Sequence, residues 1–542
     1  MKKYLILMLV LAACSPKQHV KTKREISSDN KRGLYFEDVT DESGIPSDLA
    51  SSSIIAGDYD NDGRVDIIAK DHLFRNISGK DIVFEDVTVK AGLDKLSGYP
   101  VFVDINNDGQ LDIITTKGMV FIQKNKIFVN MSQQYGLRLP EKAFTLSFAD
   151  VNGDGFADLL VGQSENHENN TFSFLPAKFY LNIAGRTFKE DPSRFNLDKY
   201  PAYVRGMQWA DFDNDSVNEV YFSNYRLKQN FLFKKAGNTY VETAPKYKVQ
   251  GDFDSKTFYD AHLKKSFGPQ YGHTIGSVWA DFNNDGNFDL WAANLVHKFV
   301  GTTNSGGYDY RGYICDDSKI YKNSGAPDYK FTDVRKQSGI PMKPIGDYSA
   351  YKGDELWSQI TAADFDNDGL IDTYVSQVYK LNYSYSLLFK NLGNFKFKDV
   401  GDKEPIRVYD SYGGIWADFN NDGRMDLIIS GRETPESDQK LQVFQNIYTN
   451  PNNHYVKIRL IGIASGKNPV GTQVRITTDK GVFLRQFEGV TGTLSQQNDP
   501  TLHFGLGNSK VIKSVQVRWN SKKVLNVTGV TMDKTWVVTE QK

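Results

Sequence analysis

The 542-residue sequence predicts an all-β protein, a seven-bladed β-propeller followed by a small C-terminal β-sandwich. Three observations support this prediction. A nine-residue acidic frame occurs seven times, an apolar strand-like run lies on each side of the frames, and the frames stop before residue 450. Repetition of one short unit is typical of solenoids and propellers, and four short strands per unit are typical of a propeller blade.

Each frame has the spacing of an oxygen-rich calcium loop, in which positions 1, 3, 5, 7 and 9 supply ligands to a hard cation. In the first frame the predicted ligands are Asp58, Asp60, Asp62, the carbonyl of Arg64, and Asp66. The side chains predicted as ligands in the other six frames are Asp104, Asn106, Asp108 and Asp112; Asp150, Asn152, Asp154 and Asp158; Asp211, Asp213, Asp215 and Glu219; Asp281, Asn283, Asp285 and Asp289; Asp364, Asp366, Asp368 and Asp372; and Asp418, Asn420, Asp422 and Asp426.

The frames are predicted to be calcium-binding hairpin loops and not EF-hands. An EF-hand needs a bidentate Glu at position 12 and a helix on each side, whereas position 12 is never acidic here and strand-like runs follow the frames. Up to seven ions are expected, each stapling one hairpin; nothing in the loops singles out one ion as catalytic. The fourth frame has Ser216 in place of glycine and closes with Glu219, so it is expected to bind most weakly.

Around each frame the chain predicts four strands. The strand before a frame ends in Trp-Ala-Asp in three copies, and a Phe-x-Asp-Val-Thr strand ends the unit at residues 84–88. No such strand follows the seventh frame, whereas an orphan copy precedes the first. The segment from Tyr35 to Thr40 is therefore expected to close the last blade by pairing with residues 441–446. The propeller is assigned to residues 34–449.

The N-terminus reads as a lipoprotein signal. Two lysines precede a short apolar run, and Leu11-Ala12-Ala13 precedes Cys14 in the manner of a bacterial lipobox. Residues 1–13 are the predicted signal peptide, Cys14 the lipidated residue, and residues 14–33 a flexible tether. This predicts a cell-envelope protein anchored in the outer membrane, facing the periplasm or the surface. Cys315 then has no intramolecular disulfide partner.

Residues 450–542 are predicted to form a separate small β domain of alternating strands. Taken together, the seven frames resemble the FG-GAP/VCBS repeats of integrin-like propellers. The C-terminal segment is similar to the ASPIC/UnbV domain at residues 453–457, 471–474, 502–507 and 517–519. The pairing resembles that of bacterial relatives of cartilage acidic protein. The resemblance implies a calcium-binding propeller outside the cytoplasm and says little about activity.

The charge balance predicts a basic surface. The formal net charge is −1, but more than a third of the 66 acidic residues lie in the frames, which leaves an excess of Lys and Arg elsewhere. With the frames neutralised by metal, the exterior favours an anionic glycan or another envelope protein as partner, besides the membrane; no nucleic acid is expected. A candidate basic patch is Lys510, Lys513, Arg518, Lys522 and Lys523.

The long insertions predict a ligand face opposite the calcium loops, because long loops on a rigid scaffold are the usual place for recognition. The candidate ligand-binding residues are Tyr259, His262, Tyr271, His273, His297, Tyr308, Tyr310, Arg311, Tyr313, Tyr348, Tyr351 and Trp357. Two functions are compatible with them. The favoured one is a binding or adhesion module for a glycan or protein; the alternative is a polysaccharide-acting enzyme, lyase-like, with a His/Tyr pair as base and acid. No catalytic residue is assigned, because no nucleophile motif or carboxylate pair is apparent.

Overall fold

The computed structural model describes residues 31–168, 171–226, 228–251, 258–260, 265–267, 271–295, 318–341, 356–378, 385–434 and 437–542. The predicted signal peptide and Cys14 lie outside these residues. The fold is all-β, as predicted, with only two short α-helices, α1 (Ser132–Tyr135) and α2 (Ala244–Tyr247), in the described part. No helix there has the length and apolar character needed to cross a membrane.

Seven four-stranded antiparallel sheets follow one another between Phe36 and Asn446 in the described residues. Sheets 1 to 4 are β2 (Ile54–Gly57), β3 (Asp66–Ala69), β4 (His72–Asn76) and β5 (Phe84–Asp86); β6 (Pro100–Val103), β7 (Asp112–Thr115), β8 (Val120–Lys124) and β9 (Ile127–Asn130); β10 (Ala143–Ala149), β11 (Asp158–Gln163), β14 (Lys178–Asn182) and β15 (Phe188–Glu190); and β16 (Tyr203–Ala210), β17 (Glu219–Tyr225), β18 (Phe231–Ala236) and β19 (Thr239–Glu242).

Sheets 5 to 7 are β22 (Thr274–Ala280), β23 (Asp289–Asn294), β24 (Lys319–Asn323) and β25 (Phe331–Asp333); β26 (Trp357–Ala363), β27 (Asp372–Gln377), β28 (Leu387–Asn391) and β29 (Phe397–Asp399); and β30 (Gly413–Ala417), β31 (Asp426–Ser430), β32 (Gln442–Asn446) and β1 (Phe36–Asp38). Two ribbons lie outside the sheets, β12 (Asn166–Glu168) with β13 (Thr171–Ser173), and β20 (Phe258–Asp260) with β21 (Lys265–Phe267).

The first strand of each sheet is the innermost one, and neighbouring sheets meet there, as β16 meets β22 and β26 meets β30. The inner strands are buried on both faces although they contain polar residues, as β26 does at Ser358, Gln359 and Thr361. Large side chains fill the space between sheets: the Trp291 ring of sheet 5 lies 6.2 Å from Trp357 and 6.0 Å from Phe389 of sheet 6. The ring of sheets is joined end to end by β1, in which Phe36 pairs with Asn446.

A repeated amide clasp connects each sheet to the one before it. The side-chain amide of Asn446 donates to the carbonyl of Phe365 in sheet 6 at 2.7 Å and to Met425 of its own loop at 3.0 Å. The equivalent donors in the other sheets are Asn76, Gln123, Asn182, Asn323 and Asn391, while in sheet 4 the Nζ of Lys235 donates to the Val151 carbonyl at 2.9 Å. These clasps satisfy buried carbonyls where one blade meets the next.

The C-terminal domain consists of two facing sheets around one apolar core. One sheet is β36 (Leu502–Gly507), β33 (His454–Ile461) and β39 (Lys534–Thr539); the other is β35 (Val482–Gln486), β34 (Gln473–Thr478), β37 (Ile512–Arg518) and β38 (Val524–Val527). The domain has its own core, but it is not isolated from the propeller. Its residues 488–501 enter the central channel, where Gln497 exchanges hydrogen bonds with the backbone of Ile54, Ala56 and Phe102. The domain therefore plugs the propeller.

Candidate functional site

The acidic frames are held in shape by their first and last carboxylates. In the first frame Asp66 accepts hydrogen bonds from the backbone amides of Tyr59 at 3.0 Å and Asn76 at 2.7 Å. Asp58 accepts from the amides of Asp62 at 2.9 Å and Gly63 at 3.1 Å. The contacts of the first carboxylate recur in the other frames, and those of the last recur in all but the fourth, where Glu219 accepts from the amide of Phe212 as its one backbone contact in the described residues. The loops are therefore held in shape by their own backbone.

Burial raises the pKa of the closing carboxylates, because a charged oxygen loses hydration inside the sheet. The pKa of Asp66 and of Asp112 rises to about 8, and that of Asp158 to about 7. A cation next to these groups would favour their ionised form and offset the cost of burial. The electrostatics of the loops therefore favour a bound positive charge.

Three frames bring carboxylates together closely enough to share one ion. In each group one ligand oxygen per residue lies within 4.8 Å of the others: Asp58, Asp60 and Asp62; Asp211, Asp213 and Glu219; and Asp364, Asp366 and Asp372. Hard carboxylate oxygens in this number suit calcium, so the donor set of these frames fits that ion. These acidic clusters can thus hold metal ions, with the Arg64 carbonyl available as a further ligand in the first frame.

The fourth frame contains a cation of its own. The Nζ of Lys234 lies 2.7 Å from Asp213, 3.0 Å from Asp215 and 2.7 Å from Glu219. In the sixth frame Lys390 likewise contacts Asp366 and Asp368, and in the first Arg75 contacts Asp60 at 2.9 Å. The fourth frame differs because its lysine also contacts the closing carboxylate, Glu219, so that with Arg518 on Asp211 all four of its carboxylates are paired with a cation. The expectation that this frame binds calcium most weakly stays a prediction, with this charge balance as its physical reason.

The C-terminal domain covers the loop face and directs its basic side chains at the frames. Lys457 contacts Asp418 at 2.6 Å, Arg459 contacts Asp58 at 2.7 Å, and Arg518 contacts Asp211 at 2.7 Å. The expected exposed basic patch is thus wrong for Arg518, which is partly buried in this interface. The first aspartates of at least three frames are paired across the domain boundary.

The other end of the channel is where the seven inner strands begin. All of them run from this end towards the frames, so their first residues form a ring around the opening, which we call the channel mouth. It contains a cavity of about 260 Å³. Each inner strand, or a residue one or two positions before it, contributes a lining side chain: Ser52, Tyr99, Phe144, Arg205, Ile275, Ser358 and Tyr412. Leu494 of the plug also lines the cavity.

The predicted ligand face is only partly described. His262, His297, Tyr308, Tyr310, Arg311, Tyr313, Tyr348 and Tyr351 lie outside the described residues, and of Tyr259 only the backbone, in β20, is described. Tyr271 is partly exposed. Trp357 and His273 are corrections: Trp357 is 1 % exposed in the core between sheets 5 and 6, and His273 is fully buried behind Tyr225 at a ring distance of 4.7 Å.

Sequence reasoning missed Arg205, Tyr225 and Tyr412 at the channel mouth. Each lies near the end of a strand, where nothing in the neighbouring sequence distinguishes it from other residues beside an apolar run. A signal was present, since an arginine two residues into an otherwise apolar inner strand needs a polar partner. Aligning the seven inner strands by their acidic frames would have placed these positions on one ring.

Two family models match the chain. The model described as FG-GAP-like repeat matches residues 150–222 and 364–429, and the model described as ASPIC and UnbV matches residues 462–542. These segments are thus similar to FG-GAP-like repeats and to an ASPIC and UnbV domain. The FG-GAP-like matches include the third, fourth, sixth and seventh frames, and the ASPIC and UnbV match covers most of the domain that plugs the channel.

The chain is similar to cartilage acidic protein 1 of Mus musculus, with 27 % identity over 342 residues, and to that of Homo sapiens, with 24 % identity over 332 residues. The matches cover 61 % and 59 % of this chain but only 44 % and 42 % of these relatives, so the chain spans less than half of their length. Among solved structures, an Agrocybe aegerita lectin that recognises non-reducing terminal N-acetylglucosamine aligns at 13 % identity and a TM-score of 0.36, over 74 % of this chain and 92 % of the lectin.

Proposed function

We propose that this protein is a calcium-stabilised cell-envelope lipoprotein that binds a glycan or protein ligand at the end of the propeller opposite the metal loops. One observation carries the proposal. The ASPIC and UnbV domain covers the loop face and fills the channel from that side, and within the described residues the channel mouth at the other end is concave. Concave sites with a few convergent polar groups are the usual places for ligands.

In this proposal the metal ions have a structural role. Calcium bound in the frames would balance buried carboxylates and fix the hairpins that lie under the C-terminal domain. The lipid on Cys14 would hold the protein at the outer membrane, and the tether would let the propeller reach its partner. In the lyase alternative His273 is a poor candidate base, because it is buried. The other two candidate histidines, His262 and His297, lie outside the described residues.

A glycan and protein array probed with the purified protein, with calcium and after chelation, tests the binding role. Specific binding that weakens after chelation supports the proposal, because loss of the ions loosens the scaffold of the channel mouth. Cleavage of a bound polysaccharide with formation of an unsaturated sugar would favour the enzyme instead. Mass spectrometry of the mature N-terminus tests the anchor: a lipid on Cys14 is expected, and an unmodified cysteine would contradict it.

A further inference from the structure

The channel mouth contains Arg205, which differs from three other arginines of the propeller that each pair with an acidic side chain. Arg407 contacts Asp399 at 2.7 Å, Arg432 contacts Asp410 at 3.0 Å, and Arg226 contacts Glu165 at 2.8 Å. Within the described ranges, Arg205 has no carboxylate at ion-pair distance. Its Nη1 donates to the hydroxyl of Tyr412 at 2.6 Å, and its buried Nε has no hydrogen-bond partner among the residues that the structure describes.

Aromatic rings surround the Arg205 guanidinium. Its central carbon lies 4.3 Å from the ring centre of Tyr203, 4.5 Å from Tyr225 and 5.0 Å from Phe144. The rings stabilise the positive charge through their faces and hold the side chain in one orientation. They also exclude water, which strengthens any charge-assisted hydrogen bond that a ligand makes there. An oriented guanidinium without an acid favours an anionic ligand group.

The other residues that line the cavity indicate which kind of anionic ligand fits. Arg432, with its own acid Asp410, also lines the cavity, and Glu433 lines it while accepting a hydrogen bond from the Ser52 amide at 3.0 Å. An acidic side chain there disfavours a ligand with several negative charges and suits one with hydroxyl donors. Aromatic faces in the wall suit the apolar face of a sugar ring. A cavity of about 260 Å³ takes one ring at a time.

We propose that the channel mouth binds the carboxylate of a uronic-acid residue in an acidic glycan, with Arg205 as the carboxylate-binding group and Tyr412 as the residue that positions it. This inference rests on the proposed binding function and specifies its ligand class. The planar guanidinium donates to the carboxylate through its fork of N–H groups, while the sugar hydroxyls reach Glu433 and Ser52.

Titration calorimetry of the purified protein with oligogalacturonate and with its methyl ester provides the test. The ester retains the sugar ring and removes the charge. Binding of the acid is expected, with the ester at least about 10-fold weaker. The Arg205→Met variant is expected to bind the acid about 10- to 100-fold more weakly than the unaltered protein, since it loses a charge-assisted contact. Arg205→Lys should fall between them because it keeps the charge and loses the fork.

Arg407→Met is the matched control. Arg407 also lies over an aromatic ring, 4.1 Å from the centre of Tyr385, but already has Asp399 as partner and does not line the cavity. Its replacement should leave the affinity unchanged. Equal affinity for acid and ester, or unchanged binding by folded Arg205→Met, overturns the inference; if that variant does not fold, the ester comparison decides alone. Binding of neutral glycans or peptides but not of uronates refutes this inference and leaves the binding function standing, whereas an empty array refutes both.

Discussion

Replacing Asn446 by alanine should destabilise the propeller by about 2–4 kcal/mol. The Asn446 side chain is fully buried, donates to two carbonyls at 2.7 and 3.0 Å, and accepts from the amide of Tyr448 at 3.0 Å. Alanine leaves the Phe365 and Met425 carbonyls without this donor at the junction of sheets 6 and 7. Each buried polar group left unsatisfied costs about 1–3 kcal/mol, and partial relaxation keeps the sum below full additivity.

Urea denaturation followed by tryptophan fluorescence at fixed calcium measures the change, because Trp416 lies buried in sheet 7. Asn452→Ala is the control, since Asn452 is exposed six residues further along the chain, and its replacement should stay within about 0.5 kcal/mol. Asn391→Ala should cost as much as Asn446→Ala, because Asn391 makes the same two contacts between sheets 5 and 6. A loss below about 1 kcal/mol at both sites would refute the clasp as a stabilising element.

Three further outcomes follow from the structure. Chelation of calcium should lower the melting temperature, and an unchanged melt would contradict the structural role of the ions. Lys234→Met should destabilise the protein by about 3–5 kcal/mol after calcium is chelated, because three carboxylates lose their shared cation. The melting temperature of this variant should also depend more strongly on added calcium. An equal loss of stability with and without calcium would contradict this reasoning. Burial raises the pKa of Glu488 to about 7, above its value in the unfolded chain. The contribution of Glu488 to the free energy of unfolding is therefore full below about pH 4.5 and is lost as the pH rises through 7. Glu488→Gln should therefore raise the melting temperature relative to the unaltered protein at pH 8 and not at pH 5, and the same difference at both values would exclude this titration.

The blades were predictable because the acidic frames mark where the first two strands of each blade meet. Apolar runs flank the frames, and a count of the last strands of the blades left one strand at the N-terminus for the seventh sheet. The boundary of an insertion was harder to predict. Trp357 was predicted to lie in an insertion loop, whereas it is the first residue of β26. The residues around an aromatic side chain do not distinguish the last position of a loop from the first position of a strand.

Contacts between domains could not be predicted from the alternation of strands. Lys457 and Arg459 alternate with apolar residues as solvent-facing positions would, yet both point at aspartates of the frames. Nothing local in the sequence distinguishes a cation that faces water from one that faces a carboxylate in another domain. Arg205 was missed for a related reason, since its environment comes from inner strands that are far apart in sequence.

The pairing of β1 with β32 has a consequence for how the chain folds. The first strand to emerge from the ribosome must wait for a partner some 400 residues later, since Phe36 pairs with Asn446. Until then sheet 7 lacks its outer strand, and the preceding sheets form an open arc with unpaired edges. Such long-range closure is slow and exposes the arc to aggregation. The plug at residues 488–501 is synthesised later still, so all seven sheets have left the ribosome before the C-terminal domain can enter the channel.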